Sequence, residues 1–445
     1  GDRTRPALHP LDWLGCALAG AASETGAIFR THAAQQPRGA ARVLLAGQHT
    51  AQTTAFANGA FGNVLEMDDV HREAILHPGP VVVPAALALA TELDSTGAAL
   101  LDAIIRGYEA EIRIGRAMGP AHYRQFHPTA TCGPFGAVAA AASLLSLTAG
   151  QTTHALGNAG TQAGGVWQCR AEPVMTKQLH TARAAAQGLE AAQLAALGLS
   201  GPRYILEGPL GIFAGLAPDA RPDRVLADPD APWLIHATSF KPWPACRHCH
   251  PAIDAALALR DRAPPDAVAT IEVASYADAL TFCDRAEPRT TLEARFSLQH
   301  AVAVALAEGK PALHHFDPVA FPRFAALRAR ITAREEARFT AAYPARFGAA
   351  VTITLHDGMT HTVNIPDALG DPENPLPEAD LLAKARMLMA SAGVDAEPLI
   401  IASLALTEGA SARHLNAVLP HAASPSPAFA GEDRDGGQPP ETFAA

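Results

Sequence analysis

The run Ala137 to Leu147, AVAAAASLLSL, is built almost wholly from small apolar residues. Helices that carry such side chains pack closely, so Ala-rich runs of this kind predict a mainly α fold. The stretch leading into it is Phe126-His127-Pro128-Thr129-Ala130-Thr131-Cys132-Gly133-Pro134-Phe135-Gly136. It reads as a Thr- and Gly-bearing turn that opens a helix. Free backbone N–H groups of such a turn suit an anion, and the imidazole before it is placed to move a proton. That combination suits chemistry on a carboxylate.

A chain of 445 residues exceeds one ordinary core, and two domains are expected. Its hydrophobic fraction of 49% fits a globular protein with ample core. The formal charge of −10 argues against nucleic acid as a partner, because such proteins cluster Lys and Arg. Charged residues or histidines interrupt every apolar stretch within about 15 residues, so no membrane span is expected. Six cysteines are too few for a disulfide scaffold, and no secretory signal precedes the first helix, which suggests a cytoplasmic location.

Helices are expected over Leu11 to Gly20, Thr54 to Asp69, Pro84 to Leu93, Gly97 to Met118, Gly136 to Leu147, Thr152 to Ala159 and Thr181 to Leu199. In the Gly97 to Met118 segment, Leu101, Ile104, Ile105, Tyr108 and Ile112 recur at helical spacing and form a core-facing stripe. The texture changes after Phe240. Ala267 to Ser275 alternates like a half-buried strand, while Val351, Ile353 and Leu355 lead to Asp357-Gly358 and then Val363 and Ile365, a hairpin pattern. With a helix expected over Leu292 to Glu308, this part reads as α+β. The turn-forming segment from Gly370 to Pro375 precedes a helix over Glu378 to Ala392 that is expected to rejoin the first domain. The organisation is therefore a helical domain over 1–240, an α+β domain over 241–372, a return to the helical domain over 373–423, and a poorly ordered tail over 424–445.

Five polar clusters are candidates for chemistry. Glu66-Met67-Asp68-Asp69-Val70-His71 precedes His77-Pro78-Gly79, so several carboxylates lie near two imidazoles and could tune or orient a proton donor. A solvated helix end with a capping aspartate is the plainer reading. The second cluster is His127 with Thr129 and Thr131, whose plainer reading is a capped buried helix. The third is Lys177-Gln178-Leu179-His180. A lysine at a helix N-terminus adds charge where the helix is already positive, which favours a bound anion. The fourth, Lys241 to His250, holds Cys246-x-x-Cys249 with Arg247, His248 and His250. Zinc is one reading, but neighbouring His248, Cys249 and His250 cannot readily converge on one tetrahedral ion, and Lys241, Arg247 and the two histidines suit polycarboxylate recognition better. The fifth, Arg295 to His300, offers Arg295 and His300 as carboxylate partners, although the segment also reads as an ordinary helix start.

Six stretches together resemble the MmgE/PrpD family: AFANGAFGNVLEMDDVHREAILHPGPVVVPAALALA, GYEAEIRIGRAMGPAHYRQFHPTATCGPFGAVAAAASLL, MTKQLHTARAAAQGLEAAQLAALG, FKPWPACRHCHPAIDAAL, RFSLQHAVAVALAEG and GDPENPLPEADLLAKAR. The resemblance implies a homodimer whose subunits have a helical domain made from both chain ends, an α+β lid, and an active site in the cleft between them. It implies no metal or other cofactor. The family's active-site residues fall on His77, His127, Lys177 and His250. The chain departs from the family at Glu66, the acidic position of the usual LDFDD motif, at Val70, usually a hydroxyl residue, and at His300, a tyrosine in several members. Gly1 to Pro10 has no match.

The expected activity is cofactor-free lyase chemistry beside a carboxylate of a small di- or tricarboxylic acid. Dehydration of a 2-methylcitrate-like acid is the first expectation, with epimerisation or decarboxylation of an iminodisuccinate- or cis-aconitate-like acid as the alternative. His77, His127, Lys177 and His250 are the expected catalytic residues. Glu66, Asp69, Thr129, Thr131, Arg247, Arg295 and His300 are the expected substrate contacts. The rivals of another class are a zinc-binding or catalytically silent scaffold around Cys246 to His250, and a thiol enzyme using Cys132 or Cys249.

Overall fold

A computed structural model of the chain describes residues 3–172 and 174–421, so the expected tail over 424–445 lies outside the described residues. The fold is mainly helical. One apolar core draws on residues from Ala7 to Ile235 and again from Ala385 to Leu419, while a second runs from Trp243 to Leu355.

In the first core the helices Ala51–Gly62, Gly79–Leu93, Gly97–Ala117, Pro128–Leu144 and Thr176–Ala196 pack against one another. Small residues mark their crossings. A Cβ added at Gly188 would lie 2.4 Å from the Pro134 carbonyl oxygen and 2.5 Å from the Ala137 Cβ, so only glycine lets those two helices approach this closely. This is the packing that the Ala-rich composition predicts. The helix Glu378–Ser391 returns to lie on the first helix, Thr4–Ala22, and Lys384 bonds Asp12 Oδ1 at 2.6 Å.

The second core lies against a four-stranded sheet in the order Ile331–Glu335, Val268–Ser275, Ala349–Leu355, Thr360–Ile365. The first pair is parallel and the others antiparallel, with Val273 opposite Val351 and Val351 opposite Val363. The hairpin read from alternation therefore forms, and Gly358 at φ +87° turns it. The helices His250–Leu259 and Leu298–Glu308 contribute the other side of this core.

The helices expected from Leu11, Pro84 and Thr181 start earlier, at Thr4, Gly79 and Thr176, and three other expected elements differ more. The helix expected over Thr54 to Asp69 ends at Gly62, because the chain then turns sharply to bury its acidic side chains. The expected turn at Thr129 to Gly133 is itself helical: the helix begins at Pro128, and the Ala130 and Thr131 N–H groups both bond the His127 carbonyl. That turn therefore offers no row of free N–H donors. Leu292 to Glu308 splits into Thr291–Arg295 and Leu298–Glu308, with Ser297 capping the second piece.

Replacing Gly188 with Ala should lower stability by about 1–3 kcal/mol, since the atoms it meets belong to backbone and a packed methyl group. Gly150→Ala, where nothing lies within 4 Å of an added Cβ, is the control and should leave the urea midpoint unchanged or raised. Equal midpoints for the two variants would contradict the close-packing argument.

Candidate active site

After Gly62 the chain is held by two lysines that are distant in sequence. Lys241 Nζ donates to the Glu66 carbonyl at 3.1 Å and Lys384 Nζ to the Met67 carbonyl at 2.6 Å. Between these ties Glu66 takes a left-handed backbone, φ 56°, which costs a non-glycine residue energy and is kept only where surroundings enforce it. The result places two buried carboxylates opposite two lysines. Lys177 Nζ pairs with Glu66 Oε1, and Lys241 Nζ stands 3.3 Å from Asp68 Oδ1 and 3.8 Å from Glu66 Oε2. Burial alone would push both carboxyls up, but the lysines reverse this and hold Glu66 below, and Asp68 well below, the usual carboxylate range. Burial likewise opposes the charge on Lys241, and Asp68 and Glu66 outweigh it.

This cluster orients His77. The His77 Nδ1 lies 3.0 Å from Asp68 Oδ2 and 3.0 Å from the Asp69 carbonyl, which leaves Nε2 for another partner. Its backbone N–H donates to Thr129 Oγ1 at 3.0 Å, tying it to the helix that His127 opens. Asp69 works one step further back. It accepts from Tyr108 Oη at 2.7 Å and from the Gly79 N–H at 2.9 Å, and its Oδ2 lies 2.8 Å from His9 Nδ1. The carboxylate thus fixes the start of the helix directly after His77.

The His127 ring lies 6.2 Å from that of His77, centroid to centroid. It stacks on Trp167 at 4.4 Å, and its Nδ1 is 3.2 Å from His180 Nδ1. The other nitrogen, Nε2, is buried and has no partner among the described residues. Burial, followed by the charges of Lys177, His180 and His77, pushes the His127 pKa well below the usual imidazole value, so this ring is neutral at neutral pH. Arg295 reaches the same place from the second core: its Nη1 donates to the Val64 carbonyl at 3.0 Å, and Glu66 acts on its charge.

The structure therefore brings together Glu66, His77, Thr129, His127, Lys177 and Arg295. The remaining expected residues have other partners. Asp69 and Thr131 serve the scaffold, the latter donating to the Gly164 carbonyl at 2.8 Å and so fixing the loop that carries Trp167. Arg247 pairs with Asp371 and donates to the Leu369 carbonyl at 3.0 Å. His250 lies between Arg247 Nη1 at 3.1 Å and the Ala245 carbonyl at 3.0 Å, so both ring nitrogens are committed. His300 is buried among Phe316, Phe321 and Phe324 in the second core, with its Nε2 2.9 Å from the His315 carbonyl. The side chains on which the rival zinc reading rests also diverge: His248 Nδ1 meets Tyr276 Oη at 2.6 Å, and Cys246 and Cys249 both face Cys283. Cys132 is fully buried, and burial pushes its thiol well above the usual value.

Asp68 and Lys241 lie in two of the polar clusters read from the sequence but were not among the expected catalytic or substrate-binding residues, and no motif singled out Trp167; all three line the candidate site. Lys241 carried a usable signal, since it lies in the same short stretch as the Cys/His cluster. Trp167 carried none, because its loop is folded back onto the histidine by long-range bonds, from the His127 N–H to the Gly165 carbonyl at 2.8 Å, from Thr131 to the Gly164 carbonyl, and from the Trp167 N–H to the Gln125 carbonyl at 2.9 Å.

Comparison with known proteins identifies the family. The MmgE/PrpD N-terminal domain matches residues 4–224 and the MmgE/PrpD C-terminal domain matches residues 243–408. The chain belongs to the MmgE/PrpD family. Relatives within it include cis-aconitate decarboxylase of Mus musculus, 31% identical over 350 residues that cover 75% of this chain and 70% of the relative. The Homo sapiens cis-aconitate decarboxylase is 29% identical over 353 residues, covering 75% and 71%. The Aspergillus terreus protein of the same name is 26% identical over 411 residues, covering 86% and 84%. The chain is thus an MmgE/PrpD enzyme related to lyases that release CO₂. The match from residue 4 includes part of the N-terminal segment left unmatched by motif reading, and helix Thr4–Ala22 occupies it. No helix among the described residues is long and apolar enough to cross a membrane.

The buried histidines make stability depend on pH. Burial lowers His71 and His248 to about 3 and His300 to about 4, so each stays neutral when folded and takes up a proton only on unfolding. Their stabilising effect is complete above the unfolded pKa of about 6.5 and is lost as pH falls towards the folded values, by about 1.4 kcal/mol per pH unit per group. The urea midpoint should therefore drop steeply between pH 6.5 and 5, and His300→Gln should flatten that slope. A midpoint constant over this interval would contradict neutral burial.

Proposed function

We propose that the chain is a cofactor-free decarboxylase of a small unsaturated tricarboxylic acid, of the cis-aconitate kind. The observation that carries this reading is the pairing of His77 and His127, 6.2 Å apart, with the Lys177 cation acting on His127 and Arg295 acting on the Glu66 that pairs with that lysine. Residues 1–240 with 373–423 then form the helical domain and 241–372 the lid, and the histidines sit at their junction. The family resemblance supports a homodimer and a chemistry that needs no cofactor.

Lys177 has three N–H donors, and one is spent on Glu66. The others, with Arg295, hold substrate carboxylates and fix the acid relative to the rings. The bond from carbon to the departing CO₂ breaks, and its electron pair enters the adjoining double bond. That bond shifts, and the carbon at its far end takes a proton from His77. Asp68 orients His77 and compensates its charge while it carries that proton. The neutral His127 presents Nε2 to the substrate as an acceptor, or as a base if an α-proton has to leave. Dehydration of a 2-methylcitrate-like acid would use the same two rings as base and acid. The relatives' names favour decarboxylation.

His127→Asn and Lys177→Met should each lower kcat/KM by about 100-fold or more on the acid that the wild type turns over. A panel of cis-aconitate, 2-methylcitrate and iminodisuccinate, followed by CO₂ release and by NMR, identifies that acid. Activity within threefold of wild type in both variants would overturn the mechanism.

A further inference from the structure

Among the described residues around the site, one further cation has neither a carboxylate partner nor a place in the reading above. Lys177 faces Glu66 and Lys241 faces Asp68, so these two lysines are already offset by carboxylates of the chain. The Arg170 side chain, half-buried on the short helix Gln168–Ala171, makes no hydrogen bond and no ion pair among the described residues. Its guanidinium carbon lies 5.2 Å from the Trp167 ring and 4.2 Å from that of Phe282, which belongs to the second core. Because Trp167 in turn stacks on His127, Arg170 occupies the far end of a column that begins at the neutral histidine.

Three polar atoms along that column are buried without an acceptor or donor among the described residues: His127 Nε2, Trp167 Nε1 and Arg170 Nη1. Buried polar groups of this kind are rare, and each costs about 1–3 kcal/mol when left unmatched. A carboxylate at the Arg170 end would satisfy a charged donor, and stacking between two rings holds the guanidinium plane in place to receive it. Burial raises the Asp278 carboxyl and the Arg170 charge opposes that rise, although the two form no ion pair. A tie to the helix Ala277–Cys283 is therefore the competing role.

We infer that Arg170 is a specificity-determining residue that binds the substrate carboxylate most remote from the reacting carbon, so that the site selects three-carboxylate acids over two-carboxylate ones. This rests on the polycarboxylate reading above and assigns the remote carboxylate to one side chain.

The test compares binding of propane-1,2,3-tricarboxylate with 2-methylbutanedioate, in which a methyl group replaces one carboxymethyl arm. Neither probe contains the double bond of the proposed substrate, so calorimetry reads affinity without turnover. In Arg170→Leu the Kd of the triacid should rise about 10- to 100-fold, as expected for a charged hydrogen bond, while that of the diacid stays within twofold. Arg170→Lys should restore part of the preference, and Asp278→Asn should leave it intact. In steady-state assays Arg170→Leu should raise KM with kcat within threefold. Equal loss for both acids, an unchanged preference, or the same loss in Asp278→Asn would overturn the inference. If wild type binds the triacid in preference but turns over no acid in the panel, the reaction proposed above fails and the role of Arg170 stands; if wild type binds neither acid, both fail.

Discussion

Lys241 carries a buried positive charge between two buried carboxylates, and the geometry of the site depends on that contact. Placing ions in a protein interior costs several kcal/mol each, which is tolerable only when every charge has a close opposite and its other bonds are met. Here the condition is fulfilled by residues from four parts of the chain. Glu66 and Asp68 come from the loop after the Ala51–Gly62 helix, Lys177 from the first turn of a long helix, Lys241 from the start of the second core, and Lys384 from the returning helix. The cluster therefore serves as a joint as well as a charge store. Asp371 reinforces it nearby, pairing with Arg72 and Arg247 and accepting from Ser239 Oγ at 2.7 Å.

From that joint the chemistry follows in short steps. Asp68 turns His77, Thr129 ties His77 to the helix opened by His127, and the helix places the second ring 6.2 Å from the first. Desolvation then makes the two histidines unlike. His127 is neutral because it is buried among cations, whereas His77 has a carboxylate at its back. A pair of imidazoles with different surroundings is what proton delivery to carbon requires. The returning helix also bears on this, since Lys384 holds the loop backbone and faces Asp12, whose carboxyl burial pushes up to about 6.

Much of this was legible in the residues. Period-two alternation identified the sheet, and small-residue composition identified a close-packed helical core, because both depend on local side-chain chemistry. His77, His127 and Lys177 were legible for a related reason, as each sits beside Pro, Gly or a helix start. What could not be read was direction. His250 lies in a stretch as suggestive as that of His127, yet its nitrogens turn to Arg247 and Ala245, while Lys241 in the same stretch enters the site. His300 follows a capping serine and still ends among phenylalanines. Which way a buried polar side chain faces is decided by partners far away in the chain, and spacing does not report them.

A double-mutant cycle on Asp68→Asn and Lys241→Met measures the joint most directly, read both as urea stability and as kcat/KM on the wild-type substrate. If the buried pair sets the position of His77, either single change abolishes the arrangement. The double variant is then no worse than the single ones, with a coupling energy of about 2 kcal/mol or more. Losses that add, in stability and in rate, would mean that the two residues act independently and that the histidines are positioned by something else.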